Sequence, residues 1–369
     1  MKCLAVHHLG FSDICAHELE ELGAKIILIN DAGVEFEASP EKICEILYLS
    51  QSATKFLLGI TSVKLKDEED LLKLIYDFDF PFWTTDKENY RISTQIEENN
   101  LTAFEVIDII GDELQKKSGL KVKLEEYDLN FFIYISKDIA YFGIDPLSFD
   151  LSKRSYKIFH SAASLKGTFA YSFLRFSGYS GKESLLDPCG GSGIIPIEAA
   201  LFATSRSPNY FRKDSFRLNR YFKELDEDAI YSKLDKKIKS NCPIIYCYDR
   251  LLPQVKATQK NAKIAGIDKH IIASKYDLEW LDIKLEENSL QYIVTQPPLL
   301  PSGSSIEKKF YDELFRLGEI ILKKKGIIAL LCMNPISPSI PTQYNFSLII
   351  ERKVFAGKQS WQVLKFQKL

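Results

Sequence analysis

The chain has 369 residues, 46% of them hydrophobic and 27% charged, which allows a packed core and two or three domains. No apolar run approaches the ~18 residues of a membrane span, and the first residues lack the features of a signal peptide. The net charge is −2, and the seven cysteines are scattered without a Cys-x-x-Cys pair. We therefore expect neither a disulfide framework nor a metal site, no membrane association, and a cytoplasmic protein with reduced thiols.

The first 150 residues predict an α+β region. Residues 33–37 alternate like a half-buried strand, and Ser39-Pro40 begins a helix, with proline at the first helical position. The later pattern predicts a helix at 104–111, strands at 122–124, 130–135 and 139–144, and a hairpin turn at Lys137-Asp138.

A basic connection follows at residues 149–182, and it ends in a predicted helix from about Ser161 to Phe176. Residues 151–220 carry 11 Lys and Arg against four acids, whereas residues 1–150 carry 14 against 29. A positive middle segment is typical of a surface that meets a polyanion. Solvated charges on helices would give the same composition, so this alternative stays open.

From Leu185 onward, strands and helices alternate, which predicts a parallel sheet whose ligands bind at the carboxyl ends of the strands. The pattern predicts strands at 185–187, 244–249, 271–277, 291–295 and 326–332, helices at 254–265 and 307–322, and a C-terminal hairpin of strands at 346–350 and 361–366.

The first of these strands ends in Asp187-Pro188 and runs into a turn with three glycines. Dinucleotide binding and S-adenosylmethionine (SAM) binding both use such a strand–turn–helix unit. The dinucleotide pattern needs a third glycine where Pro196 stands, and it does not ask for an acid at the strand end. A carboxylate suits the cationic sulfonium of SAM better than a phosphate, so we predict SAM. A generic α/β turn without a ligand is the alternative.

Two further acids follow strands of the same sheet. Asp249 is placed to accept the ribose hydroxyl hydrogens, and Asp277 to accept from the adenine amine; a helix cap and a loop aspartate are the respective alternatives. The predicted cofactor site comprises Asp187, Cys189, Gly190, Gly191, Ser192, Gly193, Asp249, Arg250, Asp277 and Leu278.

The strand at 291–295 runs into Gln296-Pro297-Pro298-Leu299, which we predict to be the catalytic segment. Two prolines fix the shape of this strand end, since they donate no ladder hydrogen bond. With this segment, the junction 143–157 and the glycine turn, nearly the whole chain resembles the THUMP-domain RNA guanine-N2 methyltransferases, whose own segment is Asn/Asp-Pro-Pro-Tyr or a close variant.

The resemblance implies an α/β fold with a Rossmann-like SAM-methyltransferase domain preceded by an α+β ferredoxin-like and THUMP region. The implied division is a ferredoxin-like domain at 1–48, a THUMP domain at 49–148, a basic linker and helix at 149–182, and the methyltransferase domain at 183–369. It also places Glu198 in the SAM motif and implies RNA as the partner, with tRNA, at its acceptor stem, preferred over ribosomal RNA.

Two positions depart from the family's segment. Gln296 carries its amide oxygen one methylene further than asparagine, and Leu299 has no ring to stack a base. We therefore consider Phe310, Tyr311 or Tyr210-Phe211 as replacements for the missing ring.

Clustered cations, partly interleaved with aromatic residues, are candidates for RNA contact. They lie in the junction and in the stretch 205–213, where an ordinary exposed loop is the alternative. The candidates are Lys153, Arg154, Lys157, Arg206, Arg212 and Lys213.

The leading interpretation is a SAM-dependent enzyme that makes N2-methylguanosine, most readily in tRNA. A catalytically weak or silent RNA-binding protein, a DNA adenine-N6 methyltransferase and a nicotinamide oxidoreductase are alternatives in descending order. The target nucleotide, the choice between tRNA and ribosomal RNA, and the oligomeric state are open at this point.

Overall fold

The computed structural model describes residues 1–85, 88–147, 149–161, 164–334, 336–357 and 359–369. Within these ranges the chain builds one eight-stranded and one seven-stranded sheet. None of the helices in these ranges combines the length and the hydropathy that crossing a bilayer requires.

The first sheet begins with a βαββαβ unit in the strand order β2-β3-β1-β4. The Ser39 hydroxyl accepts from the backbone N–H of Lys42, and Pro40 occupies the first turn, which confirms the predicted helix start. The elements are β1 (Lys2–Val6), α1 (Ser12–Glu21), β2 (Lys25–Ile29), β3 (Val34–Glu37), α2 (Pro40–Leu49) and β4 (Lys55–Lys64).

The same sheet continues as β4-β8-β7-β5-β6. The turn at Lys137-Asp138 is present, while the strand predicted at 122–124 is reduced to two residues, 121 and 122. The elements are α3 (Asp70–Tyr76), α4 (Phe80–Trp83), β5 (Asn89–Glu97), α5 (Ala103–Ser118), β6 (Lys121–Val122), β7 (Leu129–Ser136) and β8 (Ile139–Ile144).

Strand β4 joins the two halves of this sheet. Its first residues pair with β1 over Lys55–Leu58, and its later ones pair with β8 up to Lys64. The division between residues 48 and 49 assigns β4 to the second domain, although half of the strand completes the sheet of the first.

The helix predicted from Ser161 begins later, because α6 spans Gly167–Phe176. Ser164 and Leu165 instead present their carbonyl oxygens to the ammonium of Lys157, at 3.2 and 2.6 Å. Residues 162 and 163, which the prediction also included, lie outside the described residues.

The second sheet has the order β11-β10-β9-β12-β13-β15-β14, and its first five strands are parallel. Strands β9, β10 and β11 follow one another in one direction, and the order then reverses with β12 and β13 on the other side of β9. This switch point between the neighbouring strands β9 and β12 opens a crevice at their carboxyl ends. The strands are β9 (Leu185–Asp187), β10 (Ile245–Asp249), β11 (Ile271–Lys275), β12 (Leu290–Thr295), β13 (Leu322–Cys332), β14 (Phe346–Ala356) and β15 (Gln359–Lys368).

Helices cover both faces of this sheet. The helices of this half of the chain are α7 (Ile194–Thr204), α8 (Glu227–Asp235), α9 (Leu252–Ala265), α10 (Leu281–Lys284), α11 (Ser305–Ile321) and α12 (Ser339–Gln343), and of these α8 packs on the first region instead. The predicted C-terminal hairpin is confirmed as antiparallel β14 and β15.

Residues 205–237 leave the second sheet and pack into the core of the first region. Phe216, Leu218 and Tyr231 are buried in the same cluster as Ile43 and Leu47 of α2. The C-terminal half of the chain is therefore fastened to the N-terminal half by an apolar core.

Candidate active site

The carboxyl ends of β9, β10, β11 and β12 meet in an open cleft of about 810 Å³. Thirteen of the predicted cofactor and catalytic residues line it: Asp187, Cys189, Gly190, Gly191, Ser192, Asp249, Arg250, Asp277, Leu278, Gln296, Pro297, Pro298 and Leu299. Four separate segments of the chain therefore contribute to a single site.

The glycine turn needs its glycines for two physical reasons. Gly191 and Gly193 have φ of +54° and +82°, where a side chain is strained. A Cβ on Gly190 would lie 2.1 Å from the Cys247 sulfur, and one on Gly193 would lie 2.6 Å from Thr258 Cγ2. Gly193 allows close packing against α9 and stands between Ser192 and Ile194, which line the cleft, and its contact with the cofactor stays a prediction.

Asp187 ends β9 and is almost fully buried, at 2% exposure. Its Oδ1 accepts from the Cys189 backbone N–H at 3.1 Å and from the Thr295 hydroxyl at 2.6 Å. Burial raises the pKa of Asp187 to about 7. Thr295 directly precedes Gln296, so its hydrogen bond to Asp187 links the glycine turn to the predicted catalytic segment. Sequence reasoning missed Thr295, although a hydroxyl residue next to Gln-Pro-Pro is visible in the sequence.

Asp249 ends β10 and supports the glycine turn directly. Its carboxylate accepts from the backbone N–H of Gly191 at 3.0 Å and of Leu251 at 2.8 Å. Leu251, not Asp249, is the N-cap of α9. Asp249 therefore lines the cleft while it shapes the turn.

Asp277 follows β11 and precedes a short 3₁₀ turn over Leu278–Trp280. It stands at the N-cap of this turn, but its side chain makes no capping hydrogen bond, so the carboxylate is not committed to holding the turn. Trp280 also lines the cleft and is 57% exposed, a contribution that sequence reasoning missed.

The segment after β12 lies at the cleft as predicted. Gln296 is half-buried, and Leu299 is 63% exposed. Of the considered ring replacements, Phe310 on α11 lines the cleft, whereas Tyr311 is buried in the core. Tyr210 and Phe211 do not line the cleft and instead pack on Arg206. Tyr311, Tyr210 and Phe211 are therefore wrong as candidates for stacking.

Asn261 on α9 was also missed by sequence reasoning. Its buried amide donates to the carbonyls of Phe159 at 2.8 Å and Ser192 at 3.0 Å, and its oxygen accepts from the Phe159 N–H at 3.0 Å. Ser164 in turn bonds the Ser192 hydroxyl at 3.0 Å. The basic connection is thus held over the glycine turn and forms one wall of the cleft.

Glu198, predicted to bind the cofactor, lies outside the cleft and is fully buried. Its carboxylate accepts from Arg154 Nε, the Tyr156 hydroxyl and Gln51 Nε2, each at 2.7 Å. The prediction for Glu198 is wrong because α7 is buried on all sides, and this position faces the junction with the N-terminal region.

Arg154 is 5% exposed and also donates to the Gln51 carbonyl at 2.7 Å, so its predicted RNA contact is wrong as well. The cations of the stretch 205–213 also bind the protein itself. Arg212 Nη1 donates to the Lys153 carbonyl at 2.9 Å, Lys213 pairs with Asp235, and Arg206 stacks 3.8 Å from the Tyr210 ring centre.

These contacts arise because the stretch 205–213 docks on α2. The Ser207 hydroxyl and the Asn209 amide both donate to the Tyr48 carbonyl. Lys157 is likewise committed to the connection, and burial lowers its pKa. The predictions of RNA contact for Lys157, Arg206, Arg212 and Lys213 are therefore not supported, while the exposed Lys153 stays a prediction.

The cleft carries an excess of negative charge. Its lining includes five carboxyl side chains and two cations, Arg250 and Lys309, and Lys309 pairs with Glu279 at 2.6 Å. The carboxyl groups are Asp187, Asp249, Asp277, Glu279 and Glu313. In the described ranges no three His, Cys, Asp or Glu side chains are grouped as a metal ion would require. The site favours a cationic ligand.

Comparison with known families gives three matches along the chain. Residues 2–57 match the RlmL ferredoxin-like domain, residues 65–145 the THUMP domain, and residues 154–339 the RMKL-like methyltransferase domain.

Two curated relatives and one solved structure are similar over most of the chain. The tRNA (guanine(6)-N2)-methyltransferase of Methanocaldococcus jannaschii is 28% identical over 366 residues, covering 94% of this chain and 95% of that protein. The ribosomal RNA large subunit methyltransferase K/L of Vibrio campbellii is 25% identical over 342 residues, covering 89% of this chain but 45% of that protein. The structure of a possible methylase from Clostridium difficile 630 superimposes with a TM-score of 0.80 at 20% identity, covering 100% and 98% of the two chains, and shows the same fold.

Proposed function

Because this chain belongs to the family of RMKL-like methyltransferase domains, here joined to a THUMP domain, we propose that it methylates N2 of a guanosine in RNA with SAM as the donor. One observation carries the proposal: the ends of four strands bring the glycine turn, two acids and the Gln-Pro-Pro segment into one cleft. Neither the catalytically silent protein nor the oxidoreductase accounts as well for this arrangement together with the family.

The residues of the cleft fit SAM. A volume of about 810 Å³ lies within the usual ~300–1,000 Å³ range of small-molecule sites. The surplus of carboxylates favours a cation, and the absence of side chains at Gly190 and Gly191 lets a ligand approach the backbone of the turn closely. We assign the amino-acid end to this turn, the ribose to Asp249, and the adenine to Asp277 and Leu278.

SAM, when bound, supplies a methyl group on a sulfonium: the carbon–sulfur bond breaks as the carbon–N2 bond forms, and one N2 proton is released. The protein's part is to position the amine. Gln296 can accept one N2 hydrogen through its amide oxygen, and the rigid Pro297-Pro298 pair holds a backbone carbonyl beside it. These contacts aim the lone pair, so positioning supplies most of the catalysis.

We propose tRNA as the substrate. The support is the relative from Methanocaldococcus jannaschii, which this chain matches from end to end. The chain spans less than half the length of the ribosomal RNA relative, so that likeness carries less weight for the substrate.

We further propose a cytoplasmic location and keep the predicted domain division, with β4 shared between the first two domains. The support for the location is chemical: all seven cysteines lie among the described residues, and each is a free thiol. The support for the division is the set of family matches at 2–57, 65–145 and 154–339.

The test is methyl transfer from labelled SAM to unmodified tRNA by the purified chain, with mass spectrometry of the digested nucleosides. We expect N2-methylguanosine, and Gln296→Ala should lower kcat by about 10²- to 10³-fold, as loss of one contact at a reacting atom does, with SAM affinity unchanged. Gln291→Ala is the matched control, because this glutamine on β12 donates to the Lys325 carbonyl outside the cleft. Tight binding of SAM and tRNA without any transfer would instead establish the catalytically silent protein.

A further inference from the structure

The mouth of the cleft is apolar although its interior is acidic. Four apolar side chains at the mouth are half or more exposed: Leu251 at 50%, Trp280 at 57%, Leu299 at 63% and Ile306 at 62%. Exposed apolar side chains grouped around a cleft mark a binding surface. A ligand that reaches from solvent into the cleft would pass over these apolar side chains at the mouth.

The charge of the cleft limits which part of an RNA can meet this rim. Five carboxyl groups against two cations disfavour the phosphate backbone, which proteins bind through Lys and Arg. A base carries no net charge and has a flat face that stacks on aromatic rings. The nucleobase is thus the part of the RNA that fits this mouth.

Two aromatic side chains lie where a base could stack. Trp280 stands on the 3₁₀ turn after β11, and Phe310 stands on α11, the helix that follows the Gln-Pro-Pro segment. Lys309, the neighbour of Phe310, pairs with Glu279, the neighbour of Trp280. Arg316 of α11 strengthens this tie through Asp282 at 2.9 Å.

We propose that Trp280 and Phe310 form the surface on which the target base stacks, replacing the ring that Leu299 does not supply. This inference rests on the proposed function and names how its substrate is held. Trp280 contacts the target base and not the adenine of the cofactor. Tyr276 and Leu278 are nearer than Trp280 to the end of β11, are partly buried and line the cleft, so they are better placed beside the adenine.

Tryptophan fluorescence separates these two occupants. The chain has three tryptophans; Trp83 and Trp361 are 8% and 6% exposed, so quenching by a ligand at the cleft reports on Trp280. We expect little change with S-adenosylhomocysteine alone and strong quenching when unmodified tRNA is added to that complex. Trp280→Phe should remove the quenching. Quenching by S-adenosylhomocysteine alone would assign the ring to the adenine and overturn the proposal.

Kinetics provides the second test. Trp280→Ala and Phe310→Ala should each lower kcat/KM for tRNA about tenfold or more, the usual effect of losing one base–aromatic stack, with the affinity for S-adenosylhomocysteine unchanged. Leu299→Tyr added to Trp280→Ala should restore part of the activity. Ile283→Ala is the control, because Ile283 is 73% exposed on α10 near Trp280 but does not line the cleft.

The outcomes distinguish this inference from the function on which it rests. A wild-type chain that transfers no methyl group contradicts the proposed function, while the quenching experiment still decides whether a base covers Trp280. A wild-type chain that methylates tRNA, with Trp280→Ala and Phe310→Ala equally active, contradicts the stacking surface alone.

Discussion

The two ends of helix α7 differ in what they do. Its N-terminal end continues the glycine turn and faces the open cleft, where Asp187 and Asp249 lie beside backbone N–H groups. Glu198, the fifth residue of the helix, is fully buried and accepts hydrogen bonds from Arg154, Tyr156 and Gln51. One sequence motif thus lines the cleft at one end and fastens two domains at the other, and a charged residue within it need not face the cleft.

The largest expected effect is on the fastening end. Glu198→Ala would leave the Arg154 guanidinium buried without its partner, and removing one member of a buried pair costs about 3–5 kcal/mol of unfolding free energy. Urea denaturation would measure this loss. Tyr156→Phe, which removes one hydrogen bond to the same carboxylate, should cost about 1 kcal/mol.

SAM affinity of the folded Glu198→Ala protein should stay near that of the wild type, since Glu198 does not reach the cleft. A variant with normal stability but without SAM binding would instead place Glu198 in the cofactor site and remove the contrast between the two ends of α7.

A smaller effect is expected at the turn itself. Gly190→Ala would place a methyl group 2.1 Å from the Cys247 sulfur, and such overpacking costs about 1–3 kcal/mol and displaces the turn. Calorimetry should show SAM affinity lowered about tenfold or more, because the displaced turn no longer positions the backbone that lines the cleft.

Cys247→Ala should relieve this clash, since the Cβ of residue 247 lies 3.7 Å from the added carbon, an ordinary contact. We therefore expect the double variant to bind SAM nearly as the wild type does. If the double variant binds SAM no better than Gly190→Ala alone, the clash with the Cys247 sulfur is not the reason why residue 190 must be glycine.

The pH dependence of SAM binding gives a still smaller effect. Burial raises the pKa of Asp187 to about 7, so the free protein holds this proton at pH 6 and has released it at pH 8. A cationic ligand favours the ionised carboxylate, so binding lowers this pKa, releases a proton, and becomes tighter as pH rises from 6 to 8.

Calorimetry in buffers of different ionisation enthalpy would measure both the affinity and the released proton. We expect a gain of about threefold to tenfold for SAM, and a smaller one for S-adenosylhomocysteine, which lacks the sulfonium charge. Asp187→Asn should bind with a flat profile. An unchanged pH profile in this variant would assign the titration to another group.

The smallest effect concerns the basic stretch that docks on α2. Lys213→Ala removes a partly exposed pair with Asp235 and should cost about 1 kcal/mol of stability or less, without changing the salt dependence of tRNA binding. Lys153→Ala, at an exposed side chain, should leave stability unchanged and reduce the slope of log affinity against log salt by about one. The reverse pattern would show that residues 205–213 meet the RNA.

Much of the fold was accessible to local reasoning. Most strands of the second half and the long helices α9 and α11 were predicted to within about four residues, because apolar periodicity, glycine after α9 and prolines after β12 act over one or two turns of chain. Strand β14 continues well beyond its predicted end, and the helices α8, α10 and α12 were not predicted. The cleft residues followed from the rule that parallel strands bind ligands at their carboxyl ends. The late start of α6 was not accessible, since carbonyls that bind the Lys157 ammonium interrupt a pattern that otherwise favours helix.

By itself, the sequence determined the alternation of strands and helices, the glycine turn and the Gln-Pro-Pro strand end, because each depends on neighbours along the chain. The tertiary structure alone decided the roles of Arg154, Glu198 and Lys213, and that Trp280 and Phe310 line the same cleft. A cation in the sequence looks the same whether it faces solvent or a carboxylate distant along the chain. Only packing brings Gln51 to α7 and Asp235 to Lys213. Because an unpaired charge is costly to bury, a cation that becomes buried pairs with a group of the protein and is then not free to contact RNA.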